Sequence, residues 1–197
     1  MNTQTLPSFA EKALAFQQIV SSVAFRDHGG ETLATSLGFD RANAMLHAVG
    51  AAGGTVYVIG NGGSAAIAAH IVNDLVNVGG LRATVLHDAA LMTCMANDYG
   101  YDQAYARMIS TWARPEDLLI AISSSGNSAN IRNAVAQMKQ NGGAALTLSG
   151  FKPGNPLRGL GDLNLWLDSG DYGMVEVGHL FLLHHMADRL RVEKETP

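Results

Sequence analysis

One pattern constrains this chain more than any other: short apolar runs separated, for the most part, by segments of helical spacing. The runs are Thr55 to Ile59 (TVYVI), Ala83 to Leu86, Asp117 to Ile122, Ala144 to Leu148 and Leu163 to Leu167. Runs this short and this continuously apolar suit strands buried on both faces. Strands separated by helices pair in parallel, and the helices cover both faces of the sheet. The helices are expected over Ser64 to Val78, Ala89 to Ala96, Asp102 to Trp112 and Asn130 to Gln140, with a last one from about Gly173 to Leu190.

Two further helices lead the chain. Ala13, Leu14, Phe16, Ile19, Val20 and Val23 recur at helical spacing between Phe9 and Phe25, and Ala42, Met45, Leu46 and Val49 do so between Phe39 and Ala52. The 197 residues fit one domain, with the leading helices over about 8–52 and an α/β core over about 53–192. No linker or solenoid repeat interrupts it.

Charge and cysteine content narrow the setting. The formal net charge is −4 and no dense Lys/Arg run occurs, which argues against nucleic acid or an anionic membrane as partner. The single cysteine, Cys94, cannot form an internal disulfide and lies in an apolar stretch expected to be buried. The N-terminus lacks the pattern of an export signal, and no apolar run approaches the ~20 residues of a membrane helix. A soluble protein of a reducing, cytoplasmic compartment is the expectation.

Two loops carry the chemistry. Gly60-Asn61-Gly62-Gly63-Ser64 follows the first strand, and Ser123-Ser124-Ser125-Gly126-Asn127-Ser128 follows the third. Each opens a helix, and both fall outside the carboxyl ends of strands, where open α/β sheets bind ligands. Glycine permits close backbone approach, a helix N-terminus offers unpaired N–H groups, and serine supplies rotatable donors. Together they make an anion seat that needs no lysine. The alternative is that Ser64 and Ser128 are plain N-caps among turn residues.

Ionisable side chains lie downstream of the first loop and on the last helix. His70 and Asp74, at i and i+4, share a helix face, a spacing suited to two ligands of one divalent metal. Glu176 and His184 are eight residues apart, about 12 Å of helical rise and some 80° of rotation. If both served one ion, one of them would come from a neighbouring subunit. His179 and His185 lie close by as substitutes.

The motifs GNGGSAA (60–66), ANDYGY (96–101) and ISSSGNSANI (122–131) closely resemble the sugar isomerase (SIS) family, in particular its phosphoheptose isomerase branch. That branch interconverts sedoheptulose 7-phosphate and D-glycero-D-manno-heptose 7-phosphate. The resemblance, from about residue 10 to 190, implies a three-layer αβα sandwich with a five-stranded parallel sheet behind two N-terminal helices, and a homotetramer with sites at subunit junctions. It implies that Ser123, Ser124, Ser125 and Ser128 seat the phosphate, that Asn61, Gly62, Gly63 and Ser64 line the site, and that Asn97 and Asp98 touch the sugar. It also implies a zinc ion on His70, Asp74, Glu176 and His184, with Asp74 as catalytic base and His184 as acid.

The sequence departs from the family at several of these positions. Asp74 stands where the family has glutamate, Glu176 where it has glutamine, Val78 where it has arginine and Gly173 where it has aspartate; the serine usual near Asp88-Ala89 is absent. The expected chemistry is aldose–ketose isomerisation through a cis-enediolate, in which a carboxylate removes the proton beside the carbonyl and histidine shuttles one to oxygen. A non-catalytic module that binds a phosphosugar or a protein partner is the other class the sequence admits.

Overall fold

The computed structural model of the protein describes residues 7–195. Helix α1 (Phe9–Ser21) is followed by two short strands, β1 (Ala24–Asp27) and β2 (Thr32–Leu33), and by α2 (Thr35–Ala52). The α/β core then runs β3 (Thr55–Ile59), α3 (Gly63–Asn77), β4 (Arg82–Val85), α4 (Ala89–Tyr99), α5 (Ala104–Trp112) and β5 (Leu118–Ser123). It continues with α6 (Ala129–Gln140), β6 (Ala144–Ser149), a 3-10 turn at Pro156–Gly159, β7 (Leu163–Trp166) and α7 (Tyr172–Glu195).

The five expected strands form one parallel sheet, ordered β7-β6-β5-β3-β4. Beyond β7 the sheet gains two strands the apolar pattern did not announce. β1 pairs antiparallel with β7, and β2 with β1, giving seven strands in all. The leading helix therefore ends at Ser21 rather than near Phe25. Its helical periodicity ran on into Val23 and Phe25, but these side chains fill the core from the strand side and are buried.

Helices cover both faces. On one, Leu46, Ile71, Leu75, Leu182 and Met186 of α2, α3 and α7 pack over Val56, Ile120, Ile122, Leu146 and Leu148. On the other, Tyr105, Ile109, Ile131 and Val135 of α5 and α6 pack over Tyr57, Ile59, Leu119 and Ala121. All six residues of β5 are buried, as a continuous apolar run requires. Cys94 is exposed, contrary to expectation: α4 carries no buried residue, and the thiol contacts Asp98 Oδ2 at 3.7 Å. No described helix is long and apolar enough to cross a membrane.

Strand order places the site. β3 and β5 are neighbours, yet the chain leaves β3 for β4 on one side and then crosses back to β5 on the other. The loops after β3 and β5 diverge at this reversal and open a crevice between them.

Candidate active site

The serine loop and the glycine loop meet in that crevice. A cavity of about 140 Å³ is lined by Ser123, Ser124, Ser125 and Ser128 from the β5–α6 loop, together with Asn61 and Ser64 from the β3–α3 loop. Tyr172 and Glu176, from the first turns of α7, close its third side. Neither Ser64 nor Ser128 acts as a side-chain cap. Ser64 lies inside α3, whose N-cap is Gly62, and Ser128 is the N-cap of α6 without a side-chain capping bond. Instead Ser123 and Ser128 hydroxyls lie 3.3 Å apart, and the buried Ser124 Oγ has no protein partner. Buried hydroxyls ordinarily find partners, so this one is left free to donate into the cavity it lines.

Backbone conformation shapes both loops. Gly62 has φ +54°, and Gly126 has φ +65° with Asn155 so close that a side chain there would collide with it. Asn155 Nδ2 in turn donates to Ser149 Oγ at 3.2 Å and to the Gly150 carbonyl at 3.1 Å. Gly150 N–H donates to the Ser124 carbonyl at 2.9 Å, so the end of β6 braces the serine loop. Below it His179, fully buried on α7, donates Nε2–H to the Ser149 carbonyl at 3.1 Å. Burial lowers its pKa to about 4 against the opposing effect of that bond, so the ring is neutral. His179 is thus structural, and it does not substitute for a site histidine.

Asn61 is held by side chains absent from the expected set. It exchanges two hydrogen bonds with Asn130, at 2.9 and 2.8 Å, and accepts one from the Tyr101 hydroxyl at 2.9 Å. Tyr105 donates to the Gly60 carbonyl at 2.8 Å, and burial raises its pKa, keeping it a donor. Tyr101 and Asn130 both lie inside the quoted motifs, which was the available signal. Asn97 and Asp98 bond each other at 3.0 Å and do not line the cavity; within ANDYGY it is Tyr101 that reaches the loop.

The ionisable residues divide into two places. His70, Asp74 and His184 bring one ligand atom each within 4.8 Å of the others, and His184 Nδ1 lies 2.7 Å from Asp74 Oδ2. The His70 and His184 rings meet edge to face at 5.0 Å. Glu176 stands apart from this group, with its carboxylate against Gly63 at the start of α3. These contacts show that α3 and α7 lie side by side and run in the same direction, Gly63 beside Glu176 and Asp74 beside His184. The eight-residue spacing on α7 therefore addresses two points along α3. His70, Asp74 and His184 come together within one chain, and Glu176 of the same chain does not join them.

Two imidazoles and a carboxylate at this separation are a donor set suited to a divalent transition metal. From Ser64 at the cavity to His70 the rise along α3 is about 9 Å. An anion held by the serines would thus direct the rest of a chain-like ligand along α3 toward the cluster.

The SIS domain matches residues 30–150. The phosphoheptose isomerase of Citrifermentans bemidjiense is 35% identical over 150 residues, covering 73% of this chain and 77% of that protein. The phosphoheptose isomerase of Campylobacter concisus is 37% identical over 140 residues, covering 67% and 72%. Among solved structures, phosphoheptose isomerase GmhA from Neisseria gonorrhoeae matches with TM-score 0.79 at 27% identity, covering 92% of this chain and 94% of that one. By the domain match and by the identity of these relatives over most of its length, the chain belongs to the SIS domain family, in its phosphoheptose isomerase branch.

Proposed function

We propose that this protein is a phosphosugar isomerase that interconverts sedoheptulose 7-phosphate and D-glycero-D-manno-heptose 7-phosphate. The observation that carries the reading is the convergence of His70, Asp74 and His184 on the same chain as a serine-lined cavity. Ser123, Ser124, Ser125 and Ser128 hold the phosphate with the α6 N-terminus, whose helix dipole favours an anion. Binding energy at this remote group is available for positioning the reacting carbons.

Asp74 takes the proton from the carbon next to the carbonyl, and His184, in contact with it, moves a proton at the oxygen. His70, Asp74 and His184 are the residues that would hold a divalent ion, zinc by donor type. When bound, such an ion supplies Lewis-acid stabilisation of the enediolate oxygens. Glu176 reaches the cavity rather than the cluster and contacts substrate there.

The active form is a homo-oligomer, a tetramer in the reading that the family resemblance suggests. Helix α1 supports an assembly: it has no buried residue yet presents Phe9 at 88% and Leu14 at 60% exposure.

The deciding experiment is an isomerisation assay on sedoheptulose 7-phosphate with the metal content of the protein measured, and Asp74→Ala as control. Turnover is expected in the wild type, reduced on the order of 10²–10⁴-fold in the variant, the usual contribution of a general base. Metal-loaded protein without turnover would send the search to other phosphosugars.

A further inference from the structure

Away from the active crevice, where β1 pairs with β7, three buried side-chain nitrogens lack partners together. They are Nε of Arg26, Nε of Arg158 and Nε1 of Trp166. Arg158 and Trp166 are 7% and 8% exposed, and the Arg158 guanidinium stacks on the indole at 4.4 Å from the ring centroid. Arg26 on β1 pairs with Asn164 on β7, and Trp166 pairs with Ala24. With the side-chain period of two, Arg26 and Trp166 lie on one face as diagonal neighbours. Arg158 stands over that face from the 3-10 turn.

These groups are donors only; neither guanidinium nor indole can accept a hydrogen bond. One Arg158 nitrogen is engaged, Nη1 donating to the Pro153 carbonyl at 2.8 Å. Arg26 and Arg158 also repel: the proximity of Arg26 adds to burial in lowering the Arg158 pKa, and Asp168 opposes this from nearby. Asp168 is exposed and forms no ion pair with either arginine. Two neighbouring cations with buried, unpaired N–H groups call for a ligand that brings negative charge and several lone pairs.

We propose that Arg26, Arg158 and Trp166 form a second anion site, distinct from the serine loop, that takes a small oxyanion of the phosphate type. Its position on the opposite side of β6 from β5, under the 3-10 turn, separates it from the isomerase cavity. The site stands on its own donors and does not depend on the reaction assigned to the crevice.

Trp166 is its own reporter. The chain has two tryptophans, so a Trp112→Phe protein leaves the site indole as its single tryptophan, excited selectively at the red edge of the absorption band where its tyrosines do not absorb. Inorganic phosphate is titrated into this protein with sodium chloride adjusted to hold ionic strength constant. The expected result is a saturable change in emission, weakened at least tenfold in midpoint by Arg26→Gln and unaltered by Ser124→Ala. Asp168→Asn, which removes the competing carboxylate and leaves both arginines and the stack in place, should tighten the midpoint several-fold. Circular dichroism confirms that each variant is folded. No response in the parent protein, an equal response to chloride alone, survival of the response in folded Arg26→Gln, or its loss in Ser124→Ala would each overturn the assignment.

Discussion

A carboxylate works against an anion in the same cavity, and Glu176 lines the cavity proposed to seat the phosphate together with the four serines. Two unit charges about 4 Å apart repel by roughly 1 kcal/mol even in bulk water, and by more where solvent is thin. Glu176→Gln should therefore lower KM for the phosphosugar about five-fold or more while changing kcat less, read from steady-state kinetics. A rise in KM would mean instead that the carboxylate binds sugar hydroxyls strongly enough to outweigh the repulsion. The sequence identified Glu176 and His184 as chemistry-bearing but not which of them meets His70. Helix arithmetic treats α7 alone, whereas the answer depends on α3 lying parallel beside it, which no local pattern encodes. The serines were legible because small hydroxyls after a buried strand have few structural uses. Asn130 and Tyr101 were not singled out, because side chains that orient other side chains leave no periodic signal.

At the scale of elements, strands with continuous apolar runs were legible and strands without them were not. β1 has four residues, two of them Arg26 and Asp27, and β2 has two. Both depend on pairing with β7 rather than on their own composition, and tertiary context decides such short segments. Helix α1 makes the opposite case: its periodicity was clear, yet none of its residues is fully buried within the chain, Phe16, Ile19 and Val20 being half-buried. One side of it meets the core and α7, with Ile19 against the core, Phe16 and Val20 beside Gly178 and Phe16 against Phe181 at 6.3 Å, while Phe9 and Leu14 stay exposed. An exposed apolar stripe of this kind marks an interaction surface. Leu14→Glu should shift the oligomer toward smaller species in light scattering coupled to size-exclusion chromatography. The far-ultraviolet circular dichroism should stay within error of wild type, because no core contact is lost. An unchanged mass would place α1 outside the assembly interface.

The whole molecule ties the catalytic edge to its stability through one histidine. α7 packs over β6 with His179 at its centre, neutral and bonded to the strand terminus that braces the serine loop. In the unfolded chain this imidazole binds a proton near pH 6.5, whereas in the native fold burial defers protonation to about pH 4. Below pH 6.5 the unfolded state thus holds more protons, and acidification favours it. The stability contributed by keeping His179 neutral is fully present above pH 6.5, is lost as pH falls toward 4, and changes no further below that. A gap of this size corresponds to about 3 kcal/mol in total, and to about 2 kcal/mol by pH 5. Urea unfolding at fixed protein concentration should show wild type losing that much more stability between pH 7.5 and pH 5 than His179→Asn, which has no proton to take up. The variant should be less stable at pH 7.5, since the packing around the ring is lost, but its pH profile should be flatter. Parallel profiles for the two proteins would assign the acid sensitivity to other groups and leave His179 with a packing role alone.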